Sequence, residues 1–337
     1  MRFKFMFLLG LGAFTAALAA PGERLVKVGD FHLKTARFGA AAVAGGDYVY
    51  VIGGDNESGY LGDIERFDIR THEVVRLTDR LTARRYHGAV LAGDKIYVFG
   101  GQRVNPLPDS EMMEGSVDVY DLATGRITQG TPMPTPRCFA ATVLFKNKVY
   151  VIGGAYLHGN AFVQTGLMEI FDLATGAWST GPAMPTAREC RAAVVDDFIL
   201  VPGGYRSRAR VAQVEFFVVP ENAWKKLPEL CEPVSANSVA FLGSQLFLFG
   251  NFSDEKDVVA YDLRTRASQV IQPGYLPARH TAAVVHAGRI YVVGGGLVEH
   301  TAAVVHAGRI YAAGGDLVQG SLKPLDYIQV FALATGP

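Results

Sequence analysis

The sequence predicts an all-β protein in which one four-stranded unit occurs six times and closes into a ring. Three observations carry this. A Gly-Gly pair ending an apolar run recurs at Gly53-Gly54, Gly100-Gly101, Gly153-Gly154, Gly203-Gly204 and Gly294-Gly295, with Gly250-Asn251 in the remaining place. The first residues of these pairs lie 44 to 53 positions apart, the spacing of one supersecondary unit rather than of a domain. The chain ends are two parts of a single unit: 23–30 reads as a strand with no unit of its own, and 328–337 ends the last unit at its third strand and turn. Pairing the two completes the sixth unit and leaves no open sheet edge.

From the N-terminus, residues 1–19 read as a separate object. Arg2 and Lys4 precede an almost unbroken apolar run over 5–16, and Ala17-Leu18-Ala19 is a small-x-small cleavage site. That is the three-part pattern of a secretory signal peptide, and the run is short for a membrane span. The expectation is export, to the periplasm or the outside of the cell, with no membrane contact after cleavage.

The body, 20–337, is expected to be one domain, with units at about 35–80, 82–131, 135–182, 186–229, 233–274 and 278–337. An Arg stands about 16 residues before most of the pairs: Arg37, Arg84, Arg137, Arg188 and Arg279, with Val234 in the fifth unit. After each pair comes a variable loop, then an alternating strand such as Val117-Asp118-Val119-Tyr120-Asp121, whose period of two indicates one buried face. The Asp caps the following turn through its carboxylate, and Gly125 or Gly176 accepts a left-handed backbone there. A short fourth strand follows, carrying Trp178 and Trp224 in two units.

The sixth unit is irregular. Residues 280–299 are repeated as 300–319 with four differences in twenty positions, and each copy reads as the first two strands of a unit. The first copy follows the usual lead-in, Leu276-Pro277-Ala278-Arg279, whereas the second joins the outer strands through 317–326. One slot exists for two hairpins, and the sequence leaves open which fills it.

The pattern Arg-x-x-(His/Cys/Ala), then Ile-Tyr-Val-x-Gly-Gly as at 96–101, then Val-x-x-Tyr-Asp-x-x-Thr-Gly as at 117–125, then Trp, resembles the kelch repeat over almost the entire body. The resemblance implies a six-bladed β-propeller, each unit a twisted four-stranded blade around a central channel. Trp is absent from four units, and unit five lacks both the Arg and the second Gly.

In an antiparallel blade the start of strand one, the end of strand two and the start of strand three share one rim. The repeated arginines, Arg37, Arg84, Arg137, Arg188 and Arg279, therefore fall on that rim with His87, Tyr156, Tyr205, Arg206 and Arg208, and together these are the candidate ligand-binding residues. Converging guanidinium groups suit a carboxylate or an acidic peptide. A repeated Arg serves equally well to anchor loops through backbone carbonyls, and both readings stand at this point. The resemblance adds that some kelch domains bind acidic peptides through arginines at similar places. Asp55, Glu57, Asp109, Glu111 and Glu114 give blades one and two an acidic side of the rim, and the loop 102–116, with Met112, Met113 and two prolines, is a candidate partner-contacting segment.

Lys+Arg and Asp+Glu balance at 32 each, so no global field draws nucleic acid or an anionic membrane. No closely spaced metal-ligand set, nucleophile elbow or phosphate loop stands out, and no cofactor or metal is expected. Cys138, Cys190 and Cys231 are an odd set, expected to be buried free thiols. The functional expectation is an exported, monomeric module that binds a protein or an acidic glycan through its Arg-bearing rim. The alternative is a metal-independent sugar mutarotase resembling N-acetylneuraminate epimerase, with Arg84, His87, Arg137 and Glu189 as its polar set.

Overall fold

The computed structural model describes residues 23–104, 111–159, 161–298, 303–306, 309–312 and 322–335. The expected leader, 1–19, lies outside the described residues, as does 105–110 within the loop 102–116.

Six four-stranded antiparallel blades form a β-propeller. Blade one comprises Ala41–Gly45, Tyr48–Asn56, Gly59–Asp68 and Val74–Thr78. Blade two comprises Gly88–Ala92, Lys95–Phe99, Val117–Asp121 and Ile127–Gly130. Blade three comprises Ala141–Phe145, Lys148–Ile152, Met168–Asp172 and Trp178–Gly181. Blade four comprises Ala193–Val195, Phe198–Pro202, Val214–Val218 and Ala223–Leu227. Blade five comprises Ser238–Leu242, Gln245–Phe249, Val258–Asp262 and Ala267–Ile271.

Blade six closes the ring from both chain ends. Ala282–His286 and Arg289–Val293 are its inner strands, Leu322–Thr335 is the third, and the N-terminal strand Glu23–Arg37 is the fourth. The closing pair runs from Glu23 opposite Thr335 to Arg37 opposite Leu325. The first copy of the duplicated hairpin thus occupies the blade. Strands Ala303–His306 and Arg309–Ala312 of the second pair with each other in the identical register, twenty positions on. Packing explains the choice. Val292 and Val293 are 1% and 0% exposed, and the second copy has Ala312 and Ala313 in their places.

The core lies between the blades. In Lys148–Ile152, Val149 and Val151 enter the cluster shared with blade two, whereas Tyr150 and Ile152 enter the one shared with blade four. Second strands are therefore apolar on both faces, which is why the runs before the Gly pairs do not alternate. Each large apolar side chain buried this way contributes roughly 1.5–3 kcal/mol. Outside, Trp178 donates through Nε1 to Thr131 O at 2.9 Å and Trp224 to Pro182 O at 2.8 Å, tying each outer strand to the preceding blade. The turns behave as their sequence predicts. Asp121 Oδ1 accepts from the N–H groups of Ala123 and Thr124, Asp172 Oδ1 from Ala174 and Thr175, and Gly125 and Gly176 both have φ of 68°. The cysteines depart from expectation in one respect: Cys138 and Cys190 are buried, but Cys231 is exposed.

Candidate functional site at the channel mouth

Four of the five repeated arginines are fasteners inside their own blades. Arg37, Arg84, Arg137 and Arg188 are 0–1% exposed. Each bonds the carbonyl of the first glycine of its pair, Gly53, Gly100, Gly153 and Gly203 respectively. Each also meets an acid on the third strand of the same blade. Arg37 holds Asp63 at 2.7 Å and Glu65 at 2.9 Å, Arg84 holds Asp118 at 3.1 Å, Arg188 holds Glu215 at 2.5 Å, and Arg137 pairs with Glu169. The expectation of a ring of ligand-facing guanidinium groups at these four positions is replaced by one of buried locks. The two blades without the Arg also lack the acid: Val234 goes with Val259, and Ala278 with the neutral Gln329.

Ala278, not Arg279, stands in the lock position of blade six. The lock carbonyl accepts from the second glycine of the blade before it, as in Gly54 N–H to Arg84 O and Gly295 N–H to Arg37 O. One residue further on, Phe38, Arg85, Cys138, Glu189 and Arg279 each form a bridge with the residue after the pair. Arg279 thus shares the register of Arg85 on the open side of the lock. Both Arg188 and Arg279 precede their glycine by 15, the former because the inner strand of blade four, Ala193–Val195, is only three residues long.

The next residue in each unit builds the mouth of the channel. Gly39 N–H donates to His280 O, Tyr86 to Gly39 O, Phe139 to Tyr86 O, Cys190 to Phe139 O and His280 to Ala236 O, all at 2.7–3.0 Å. Tyr86, Phe139, Ala236 and His280 hold φ of 54–58° to do so. Such backbone strain in bulky residues persists only where surrounding structure enforces it, and it concentrates at functional sites. The rings of Tyr86, Phe139 and His280 pack across the axis, with Tyr86 4.1 Å from Phe139 and 5.0 Å from His280. Between blades four and five the Cys190 carbonyl instead accepts from Arg191 Nη1 at 3.0 Å.

The charges of three arginines, from blades two, four and six, act on His280. Burial, then the charges of Arg279, Arg191 and Arg85, push its pKa down to about 3, so the ring is neutral. Arg85 holds Asp55 at 2.7 Å and Gln102 at 3.0 Å. Arg279 lies 4.4 Å over the exposed Phe252 ring, with Glu255 at 3.6 Å. The hydrogen bond of Arg191 is to Cys190 O, out of five N–H donors on a guanidinium. Burial lowers its pKa and the neighbouring Cys190 and Glu189 oppose this. Glu189 accepts from Gln164 at 3.1 Å, and burial raises its pKa against that bond and the Arg191 charge.

The remaining candidates divide. Tyr156, Tyr205 and Arg206 lie on the rim hairpins Ala155–His158 with Ala161–Gln164 and Tyr205–Arg206 with Ala209–Arg210, and Arg208 is in the second of these turns. His87 is 5% exposed beneath the glycine pairs of blades one and two, and burial pushes its pKa down to about 3, with the Arg84 charge adding to this and the Ile52 backbone opposing it. Of the set Arg84, His87, Arg137 and Glu189 considered for sugar chemistry, only Glu189 stands at the mouth. The loop 102–116 forms a hairpin, Gln102–Val104 with Glu111–Met113, and two acids of that side are paired locally, Asp55 with Arg85 at 2.7 Å and Glu114 with Arg103 at 3.3 Å.

The fold and this mouth define a propeller of the class that serves as protein-interaction modules. Over much of its length the chain is similar to kelch-repeat proteins. A family model described as the KLHDC2/KLHL20/DRC7 Kelch-repeats domain matches residues 28–180. The chain is 28% identical over 230 residues to the Kelch-like protein terF of Aspergillus terreus, covering 63% of this chain and 50% of that protein. It is 26% identical over 241 residues to Kelch-like protein 25 of Xenopus tropicalis, covering 69% and 40%. Over 201 residues it is 25% identical to the Beta-scruin of Limulus polyphemus, covering 56% and 21%. The chain thus spans half or less of the length of these relatives.

Proposed function

We propose that the chain is a protein-binding module whose rim holds an acidic segment of its partner at the channel mouth. The observation that carries this reading is that Arg85 and Arg279 share one register on the open side of the locks, and that their charges and that of Arg191 all act on the neutral His280. A carboxylate accepts two parallel hydrogen bonds from a guanidinium, and partial enclosure strengthens the pairing. The rim exposes Phe162 and Phe252, 39% and 52% accessible, and also Arg206 and Arg208. Aromatic residues and Arg are the types enriched at protein interfaces. The N-terminal pattern over 1–19 supports a partner outside the cytoplasm.

The test is binding of poly-L-glutamate, poly-L-lysine and polysialic acid to the purified protein at low and physiological salt. The reading expects binding of poly-L-glutamate, weakening with salt, and at least tenfold weaker in Arg191→Met/Arg279→Met, with unchanged circular dichroism. Equal binding of poly-L-lysine, or an unaffected double variant, overturns it. A preference for polysialic acid over poly-L-glutamate transfers the site to acidic glycans.

A further inference from the structure

We propose that a cavity between the rim hairpin and the outer strand of blade four binds a free aliphatic α-amino acid. The site lies apart from Arg85, Arg191 and Arg279, and the proposal does not rest on the acidic-segment reading of the channel mouth.

The cavity has a volume of about 410 Å³. Small-molecule sites span roughly 300–1,000 Å³, so this one suits a small molecule rather than a strand of a partner. One side is the hairpin Tyr205–Arg206 with Ala209–Arg210, and the other is the end of Ala223–Leu227. Ser207 and Arg208 close the hairpin with φ of 49° and 64°, the left-handed pair that a two-residue turn of this kind requires. Arg210 Nη1 ties the hairpin to blade five through Pro233 O at 3.0 Å and Asn251 Oδ1 at 3.3 Å. The hairpin is thus held in place without a ligand.

The lining offers three chemistries. Positive charge comes from Arg206 and Lys226, both exposed. Lys226 stands opposite Glu215 in the sheet, but that carboxylate is held by Arg188 at 2.5 Å and lies 3.9 Å from the Lys226 ammonium. The ammonium therefore remains available to a ligand. One carboxylate comes from Glu229, oriented by Gln213, whose Nε2 donates to one of its oxygens at 3.0 Å. The wall between is aliphatic, built from Val211, Val214 and Leu227.

A ligand that answers all three carries a carboxylate, an ammonium and an aliphatic body. Inorganic phosphate meets the Glu229 charge and leaves the aliphatic wall uncovered. An alkyl carboxylate leaves Glu229 without a counter-charge. A free amino acid such as leucine matches each group once, with its carboxylate toward Arg206 and Lys226 and its ammonium toward Glu229.

NMR titration of the purified protein with L-leucine, N-acetyl-L-leucine, L-leucinamide and glycine tests this. L-leucine should bind with a Kd of about 1 mM or tighter. Loss of the ammonium or of the carboxylate should weaken binding roughly threefold or more, and loss of the side chain roughly tenfold. Arg206→Met/Lys226→Met and Glu229→Gln, all at exposed positions, should each weaken L-leucine by roughly threefold or more with unchanged circular dichroism. Arg191→Met/Arg279→Met should leave L-leucine binding as it is. No detectable binding of L-leucine, equal binding of N-acetyl-L-leucine or L-leucinamide, or indifference to the pocket variants overturns the proposal. Loss of L-leucine binding in Arg191→Met/Arg279→Met does so as well, since it would move the ligand to the mouth.

Discussion

Arg188 and Glu215 meet inside blade four at 2.5 Å with neither side chain accessible to solvent, and the guanidinium also bonds the carbonyls of Gly203 and Val201. Removing one partner of a buried pair leaves an uncompensated charge, whereas replacing both by apolar groups is close to neutral. The chain already contains the apolar solution, since blade five has Val234 and Val259 at these positions. Arg188→Val alone should destabilise by about 3–5 kcal/mol, and Arg188→Val with Glu215→Val by much less. Urea unfolding measures both. A double variant as unstable as the single would show that the Arg stabilises through the glycine carbonyls rather than through Glu215.

The sequence made the locks visible, but their purpose had to be read from two places at once. Counting Arg before Gly-Gly finds Arg37, Arg84, Arg137 and Arg188. The presence of Glu65, Asp118, Glu169 and Glu215 in the same four units, and of Val259 and Gln329 in the others, is the signal that they are internal pairs. Arg279 was misplaced because a shortened strand in blade four gives Arg188 the same distance to its glycine. The ring and its closure were legible because they follow from the repeat and from where the last unit ends. Arg85 and Arg191 were not, because Arg85 recurs only as Arg279 and Arg191 in no other unit: a repeat exposes what the scaffold needs, and the binding residues vary on top of it.

The neutral His87 makes stability pH-dependent. Its folded pKa is about 3, below the ordinary value of 6.5. Above pH 6.5 neither state binds the proton. As pH falls below that, the unfolded chain is protonated and the fold is not, so stability present above pH 6.5 is lost on the way to pH 3. His280 behaves in the same way. Each contributes a slope of about 1.4 kcal/mol per pH unit inside that window. His87→Gln should flatten the dependence of unfolding free energy on pH between 6 and 4 by that amount. An unchanged slope would mean that His87 takes up a proton in the folded state.

Glu189 is the carboxylate whose charge acts on Arg191, and it opposes any carboxylate entering the mouth. Glu189→Gln keeps the bond from Gln164 possible while removing the charge. Poly-L-glutamate should bind roughly three- to tenfold more tightly to this variant at neutral pH, corresponding to about 1 kcal/mol of relieved repulsion across a partly enclosed site. The gain should shrink with added salt, as titration calorimetry at two ionic strengths would show. Weaker binding would instead make Glu189 an acceptor for the ligand.

Deleting one hairpin copy at a time compares the two valines of the first copy with the alanines of the second, the copies differing otherwise only at Gly296/Asp316 and Glu299/Gln319. Loss of 300–319 leaves Val292 and Val293 seated and should leave the melting temperature close to that of the full chain. Loss of 280–299 forces Ala312 and Ala313 into sites that are 1% and 0% exposed in the first copy. At about 0.8 kcal/mol per buried methylene-sized group, four such groups amount to roughly 3 kcal/mol before any cavity term. Both deletions keep the closing strand Glu23–Arg37 and its partner Leu322–Thr335, so both should fold as closed rings. The second should unfold at clearly lower urea, with the same slope against denaturant because the surface exposed on unfolding is nearly equal. Equal midpoints would show that the valines do not decide which copy is seated.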